Sequence, residues 1–323
     1  MLKRCSFIWL LTVVFTFISC IDRGKEEKKS SMRVATLKGP SAISMIQMID
    51  SLKKIDHHEV HFQIFHEPMQ LRPLLIQEKV AFAVIPTNMA SILYNKGMHY
   101  KLAAVPVWGT LYLFGESKDI KTWKDLQGKR IHVMAKGMTP DVMFRFLLDK
   151  HGIDPQRDVT LDYSFPSHIE LANAVASGKA RLGVISEPLV SMVISKNNQV
   201  RPIFSLNEEW HRQTGMDIPQ TALLVHRDFA RNNKKVVYHF LETYNNAVRW
   251  VNAHPHKGSH LIVQHDILHN VQVAYQAIPR CHMKFMYGHE VRNQVLDFLE
   301  IFYRMNPDIV GGQLPNADFF YKK

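Results

Sequence analysis

The stretch RIHVMAKGMTPDVMFRFLL, residues 130–148, decides the fold class, because it predicts a β-strand, a tight turn and an α-helix in succession. Residues 131–135 are mostly apolar and predict the strand, and Gly137 predicts the turn. Thr139 is the expected N-cap of the helix, with Pro140 at its first position, where a missing N–H costs nothing. Such a junction directs free backbone N–H groups beyond the carboxyl end of the strand, where open α/β folds bind ligands.

Strand-to-helix junctions of this kind recur along the chain. Short apolar strands alternate with short helices, which predicts α/β structure with parallel sheets. The strands and helices before and after Leu111 form two similar sets, which predicts two lobes. The four further junctions are Gly39-Pro40-Ser41, Pro86-Thr87-Asn88, Phe165-Pro166-Ser167 and Ser186-Glu187-Pro188.

Each junction offers helix N-terminal donors and little side-chain bulk. A cleft between the lobes would therefore be lined by backbone N–H groups, hydroxyls and an amide, with Trp108 as a candidate for stacking on a ligand. These groups bind a ligand, and none of them cleaves one. In the alternative interpretation the junctions are only well-capped helix starts. Ser41 is the expected N-cap of the first helix, and Ser167 with Glu170 is a capping box that opens a later helix.

Residues 1–19 have the pattern of a signal peptide rather than of a folded segment. A basic start precedes the apolar run Phe7–Ile18, which is shorter than a membrane-spanning helix. Ser19-Cys20 resembles a bacterial lipobox and implies cleavage before the cysteine and lipidation of its thiol, although Phe17 replaces the usual Leu. Residues 20–31 are charged and predict a flexible tether. An ordinary signal peptide or a membrane anchor with a chance cysteine is the alternative.

The composition is that of a globular protein, since 46% of the 323 residues are hydrophobic and 21% are charged. The formal net charge is +11 at pH 7. The basic residues are scattered rather than clustered among aromatic ones, and with the export signal this argues against a nucleic-acid partner. Cys281 is the one cysteine in the body of the chain, so the mature domain forms no internal disulfide. A half-buried structural role is the preferred interpretation of Cys281.

Two motifs stand out, W-x-D-L-x-G-K before a strand and A-x-x-S/A-G-x-A followed after six residues by E-P. They occur within TWKDLQGKRIHV (122–133) and LANAVASGKARLGVISEPL (171–189). The other matching segments are GPS (39–41), AFAVIPTN (81–88), KGMTPDVMFRFLL (136–148) and GGQLPNADFF (311–320). Together they resemble the solute-binding lipoproteins of ABC importers, closest to the nitrate, sulfonate, taurine and thiamine-precursor binding group. The resemblance covers nearly all of residues 32–323.

The resemblance implies an α/β fold of the type II periplasmic binding-protein class, with two lobes that are each a doubly wound sheet. Two crossover strands, near residues 108–114 and 216–221, would join the lobes. Lobe 1 would comprise residues 32–110 and 220–323, and lobe 2 residues 111–219. The ligand loops of the family correspond to Gly39, Pro40, Ser41, Thr87, Asn88, Trp108, Gly109, Gly137, Met138, Thr139, Asp141 and Glu187.

The function implied is that of an exported receptor, lipid-anchored to the bacterial cell envelope through Cys20. It would capture a small organic solute between the lobes and deliver it to an ABC permease and its ATPase. The protein is expected to be a monomer without a cofactor. It is not expected to be an enzyme, because it has no GxSxG, Walker or GxGxxG motif. A lipoprotein sensor or adaptor with the same fold is the alternative.

The charge of the ligand depends on two carboxylates near the predicted cleft. Asp141 and Glu187 add negative charge, and Lys136 offsets one of them. Helix N-termini favour anions, whereas carboxylates suit an amine or a ring N–H, so a heterocyclic, vitamin-precursor-like or zwitterionic ligand is favoured over a sulfonate-like one. Alternatively, Asp141 is a solvent-facing partner of the helix dipole, and Glu187 is a local cap.

Histidines cluster in residues 57–66 and 254–269. His256/His260 and His265/His269 have the i,i+4 spacing that places two imidazoles on one helix face, so metal binding is an alternative function. No acidic pattern joins these histidines and neither cluster lies at a junction, so surface histidines are the preferred interpretation.

Overall fold

The computed structural model describes residues 30–116, 118–134, 136–165 and 167–322. The predicted signal peptide, Cys20 and most of the predicted tether lie outside these residues. Within them, the helices are all too short or too polar to cross a membrane.

The first part of the chain alternates strands and helices as expected. Its elements are β1 (Ser30–Leu37), α1 (Pro40–Ser44), α2 (Ile46–Ser51), β2 (Lys54–Ile55), β3 (His58–Phe65), α3 (Pro68–Ile76), β4 (Phe82–Pro86), α4 (Thr87–Asn95) and β5 (Tyr100–Trp108).

The second part repeats the alternation and adds a helix that the sequence did not predict, α8. Its elements are β6 (Leu111–Glu116), a 3-10 helix (Trp123–Leu126), β7 (Arg130–Val133), α5 (Thr139–Lys150), β8 (Thr160–Asp162), α6 (His168–Ala176), β9 (Leu182–Ser186), α7 (Leu189–Lys196), β10 (Val200–Ser205) and α8 (Leu206–Thr214).

The last part is mainly helical. Its elements are β11 (Pro219–His226), α9 (Arg227–Asn232), α10 (Lys234–Ala253), α11 (Pro255–Gln264), α12 (Val271–Ala277), β12 (Met283–Tyr287), α13 (Arg292–Met305) and 3-10 helices at Ile278–Cys281, Pro307–Val310 and Ala317–Phe319. Asn233 separates α9 from α10.

The strands form two sheets. A seven-stranded sheet has the order β12-β5-β11-β4-β1-β3-β2, and a five-stranded sheet has the order β10-β6-β9-β7-β8. We call the sheets with their helices the large lobe and the small lobe. The predicted residue boundaries of the lobes remain a proposal.

The sheets are mixed rather than wholly parallel, which corrects the sequence prediction. β1 runs parallel to β3 and β4, and β7 runs parallel to β8 and β9. β11 runs antiparallel to β4 and β5, and β6 runs antiparallel to β9. The reason is the path of the chain: β6 and β11 begin where they enter from the opposite lobe, at the edge where the parallel strands end.

The core explains how the two faces of the large sheet are covered. On one face α10 buries its apolar stripe, and Phe240 stacks on Phe82 with ring centroids 3.9 Å apart. Burial of one such side chain stabilises the fold by about 1.5–3 kcal/mol. On the other face the core continues into the small lobe, where the Trp210 ring contacts the rings of Phe146 and Phe298. The lobes are therefore joined by a buried apolar contact as well as by the chain.

Candidate ligand cleft between the lobes

Two helix starts differ from the sequence prediction. Thr139 is the first residue of α5 rather than its N-cap, which is Met138 in an extended conformation. Ser41 lies inside α1, whose N-cap is Gly39. Neither helix has a side-chain N-cap, so the hydroxyls of Thr139 and Ser41 do not cap the helices in which they lie. Ser167 behaves as predicted, because its hydroxyl accepts from the Glu170 N–H in a capping box.

The junctions of the two lobes meet across the space between them. The Thr139 hydroxyl of the small lobe donates to Asn88 Oδ1 of the large lobe at 3.2 Å. A Cβ atom added at Gly39, whose φ is +107°, would lie 3.5 Å from Pro188 Cδ of the small lobe. Four of the five predicted junctions therefore approach each other in two pairs, as expected of a cleft lined from both sides.

Most of the predicted site residues are shielded from solvent. Met138 is exposed, and Pro40, Gly137 and Thr139 are half-buried. The buried ones are Gly39, Ser41, Thr87, Asn88, Trp108, Gly109, Asp141 and Glu187.

The crossover segments are fastened to each other by hydrogen bonds. The N–H of Gly109 donates to the carbonyl of Ile218 at 3.0 Å, and the N–H of Thr110 donates to Gln220 Oε1 at 2.6 Å. A Cβ atom added at Gly109 would lie 2.2 Å from Asn207 Oδ1, so the close approach requires glycine. The two connections thus run side by side, as a hinge between lobes requires.

Trp108 and Thr87 are engaged in structural contacts. The Trp108 indole is 5% exposed, and its Nε1 donates to the carbonyl of Lys284 at 2.7 Å. The Thr87 hydroxyl donates to the carbonyl of Pro219 at 2.5 Å. In this conformation little of the indole surface is left for stacking, and the ligand role of Trp108 stays a prediction.

Asp141 is buried rather than solvent-facing, which corrects one of the two alternatives. It accepts hydrogen bonds from the Gly137 N–H (2.7 Å), Arg145 Nε (2.8 Å) and the Tyr163 hydroxyl (2.6 Å). Burial, helped by the Asp141 carboxylate, raises the pKa of Tyr163 to about 12, so its proton stays in place at neutral pH. The cluster holds the turn before α5 in shape and neutralises Asp141 inside the small lobe.

Glu187 is both a local cap and one half of an interlobe ion pair. It is fully buried and accepts from the N–H (3.1 Å) and hydroxyl (2.8 Å) of Ser191 in α7. Its other oxygen accepts from Arg280 Nε at 2.5 Å, and Arg280 belongs to the large lobe. Burial raises the pKa of Glu187, and the Arg280 guanidinium opposes this effect.

The pairing changes the electrostatics expected from the sequence. Each carboxylate already has an arginine, so neither offers a free negative charge to an amine in this conformation. Lys136 is exposed, lies 5.8 Å from the centre of the Tyr163 ring, and has no ion-pair partner in the described part of the chain. The uncompensated charge at these loops is therefore positive.

Sequence reasoning missed three residues of this region. Arg145 follows Asp141 by four residues on a helix, a spacing that could have revealed the pair. Arg280 is 93 residues from Glu187, so no local pattern reveals it. His168 lies at the start of α6, and its Nδ1 is shielded from solvent without a hydrogen-bond partner. Burial lowers the pKa of His168 to about 4, so the imidazole is uncharged at neutral pH.

Among the described residues, no three or more candidate metal ligands come together, in the histidine clusters or elsewhere. The rings of His256 and His260 have centroids 5.0 Å apart, and His265 Nε2 lies 3.1 Å from Asp50 Oδ1. A surface depression lined by Asp56, His57 and residues 232–236 lies on the large lobe, away from the junctions.

Two mixed α/β lobes whose junctions face each other beside paired crossover segments define the two-lobe fold of periplasmic binding proteins. The chain belongs to the NMT1/THI5-like family, whose family model matches residues 59–258. A solved structure of an ABC transporter protein from Parabacteroides distasonis is 27% identical, with a TM-score of 0.81, and the match covers 91% of this chain and 99% of that one.

Two further relatives were found. The periplasmic aliphatic sulphonate binding protein SsuA from Escherichia coli has a TM-score of 0.72 at 16% identity, over 88% of this chain and 96% of that one, and shows the fold. "Putative binding protein YtlA" of Bacillus subtilis (strain 168) is 27% identical over 149 residues, 46% of this chain. That match spans 42% of the length of the relative.

Proposed function

We propose that this protein is the substrate-binding lipoprotein of an ABC importer, which captures a small organic solute between its lobes and delivers it to a permease and its ATPase. The observation that carries the proposal is the meeting of junction loops from both lobes, with Thr139 against Asn88 and Gly39 against Pro188. A site divided between two lobes closes around a solute and opens to release it.

The relatives support this proposal. The names of the matched proteins describe binding or ABC transport. A sensor or adaptor that kept the fold is the second candidate. If the protein is a sensor or adaptor, it should bind a solute, but no permease should depend on it for transport.

The pairing of the carboxylates bears on the class of solute. Because Arg145 and Arg280 neutralise Asp141 and Glu187, an anionic group meets less repulsion than the sequence suggested. The exposed Lys136 and the helix N-termini favour a solute that presents oxygen or nitrogen acceptors. We therefore keep both solute classes, a sulfonate-like anion and a neutral heterocycle of the vitamin-precursor type, and no longer favour an amine.

Membrane attachment through Cys20 is part of the proposal, although Cys20 lies outside the described residues. Labelling of cells with a fatty-acid analogue should mark the wild-type protein and not the Cys20→Ser variant. Release of unlabelled wild-type protein into the medium would contradict a lipid anchor.

The decisive experiment is native mass spectrometry of the protein purified without denaturation, followed by a thermal-shift screen. The screen uses alkanesulfonates, pyrimidines, amino acids and divalent metal ions as separate probes. A compound at a hundred times its dissociation constant should add about 2.7 kcal/mol to the free energy of unfolding. If metal ions alone stabilise the protein, the histidine clusters rather than the cleft would be the candidate binding site.

A matched pair of variants locates the site. Asn88→Ala removes a buried amide that meets Thr139 across the cleft, whereas Asn173→Ala removes an exposed amide on α6. The first should abolish or weaken the shift produced by the stabilising probe, and the second should preserve it. Equal binding by both variants would contradict the placement of the site between the lobes.

A further inference from the structure

The Arg280 guanidinium joins the lobes through two side chains of the small lobe. Its Nε lies 2.5 Å from Glu187 Oε1, and its Nη2 donates to the Ser191 hydroxyl at 2.6 Å. The same hydroxyl donates to Glu187 Oε2 at 2.8 Å. Glu187 and Ser191 are fully buried, so in this conformation they rely on Arg280 and on each other rather than on water.

The backbone at Arg280 is anchored in the large lobe. It lies in the 3-10 helix Ile278–Cys281, whose Ile278 and Cys281 are buried in the same core as α10. Its carbonyl accepts from the Tyr112 hydroxyl of β6 at 3.3 Å, a further contact to the small lobe. Movement of the lobes apart on this side must therefore break the ion pair, because neither partner can follow the other.

The pair also lies beside a loop of the candidate cleft. Glu187 precedes Pro188, which faces Gly39 of the large lobe, and the Glu187 N–H donates to the Thr110 carbonyl at the crossover at 3.0 Å. A group that fixes Glu187 thus fixes one wall of the cleft relative to both the opposite wall and the hinge.

We propose that Arg280 is a positioning residue that latches the small lobe against the large lobe through Glu187 and Ser191, and so sets the balance between open and closed cleft. The latch rests on the proposed function for its purpose, since opening and closing matter only if a solute enters. When the lobes separate, water replaces each partner. When they close, the charge-assisted hydrogen bonds form again in a dry environment, where they are strongest.

The test is hydrogen exchange, read by mass spectrometry, on the full chain without added solute. In Arg280→Gln, peptides spanning residues 186–192 and 36–42 should exchange on the order of tenfold faster, since a hydrogen bond to a charged group is lost. Solution X-ray scattering should show a larger radius of gyration with unchanged circular dichroism. Arg280→Lys keeps the positive charge but loses the planar guanidinium that donates from two nitrogens, so its exchange and scattering should lie between those of wild type and Arg280→Gln.

Arg304→Gln is the matched control. Arg304 pairs with Glu300 on α13 within the large lobe, so its loss removes an arginine–glutamate pair that joins no lobes. It should leave both exchange and scattering at the wild-type values. Ser191→Ala is a milder second variant, which removes one hydroxyl and should give a smaller opening in the same direction.

The double variant Arg280→Gln/Glu187→Gln should open no further than Arg280→Gln alone, because both changes remove one interaction. Wild-type exchange and scattering in Arg280→Gln, or effects equal to those of Arg304→Gln, would overturn the latch. Neither result depends on a solute, so failure of the latch and failure of solute binding are separate outcomes.

Discussion

Asp141 and Glu187 are two buried carboxylates that look equivalent in the sequence, each placed at a strand-to-helix junction of the small lobe, and the structure uses them differently. The partners of Asp141 are local: Arg145 is 4 residues away and Tyr163 is 22. The arginine of Glu187 is 93 residues away and belongs to the other lobe. The first cluster shapes one loop inside a lobe, whereas the second spans the boundary between lobes.

The comparison teaches that the position of the cation, rather than that of the carboxylate, decides what a buried ion pair does. A pair within one lobe stays closed when the lobes move, so it contributes equally to open and closed states. A pair between lobes exists in the closed state alone, so it shifts the balance between the two.

The largest effect on stability is expected from Glu187→Ala, which leaves Arg280 without a counter-charge beside buried Ser191. Breaking a buried ion pair costs about 3–5 kcal/mol, and the lower end applies because part of the Arg280 side chain remains accessible to water. Urea unfolding monitored by circular dichroism measures this cost. A loss of less than about 1 kcal/mol would place the pair among weak surface pairs.

Asp141→Asn tests the carboxylate whose partners all lie within one lobe. It removes the charge that accepts from Arg145 and Tyr163 but keeps an acceptor for Gly137, so the free energy of unfolding should fall by about 2 kcal/mol. Because all three partners lie in the small lobe, the radius of gyration should not change. An opening of the lobes in this variant would remove the distinction between the two clusters.

His168 is a half-buried residue of the small lobe whose Nδ1 atom is shielded from solvent without a hydrogen-bond partner, and its effect on stability depends on pH. Its pKa falls to about 4 in the folded state from an ordinary 6.5, because burial disfavours the charged form. The unfolded state therefore binds the extra proton, and stability should fall as the pH drops from 6.5 towards 4, by at most about 1.4 kcal/mol per pH unit.

The His168→Gln variant should reduce that slope. It should not abolish it, since burial also lowers the pKa of His58, His132 and His151. Thermal unfolding at pH 4.5, 5.5 and 6.5 measures the slope. An identical slope in wild type and variant would show that His168 ionises in the folded state as it does in the unfolded chain.

The smallest effects compare two hydroxyls at helix starts. Ser167→Ala removes a true cap and should cost about 1 kcal/mol of unfolding free energy, without altering solute binding or lobe separation. Thr139→Val removes no cap, so it should cost less stability but should loosen the contact with Asn88. Urea unfolding measures the loss of stability in each variant, and X-ray scattering measures lobe separation. A larger loss of stability in Thr139→Val than in Ser167→Ala would contradict the roles given to the two hydroxyls.

Much of the fold followed from the sequence. The alternation of apolar strands and short helices determined the α/β class, and the positions of the five junctions followed from glycine, proline and hydroxyl residues between them. The capping box at Ser167 is confirmed, because such a box involves four consecutive residues and needs no tertiary contact. Thr139 and Ser41 were mistaken for caps because a hydroxyl at a helix start can equally serve a contact outside the helix.

The sequence by itself determined these local features because backbone geometry and hydrophobic period act over a few residues. Tertiary structure alone decided the antiparallel direction of β6 and β11, the burial of Trp108, and the pairing of Arg280 with Glu187. The physical reason is that each of these depends on the path of the chain between lobes, which brings together residues up to 93 positions apart. The sequence shows which carboxylates lie at the junction loops, but the fold decides which of them remain available to a solute.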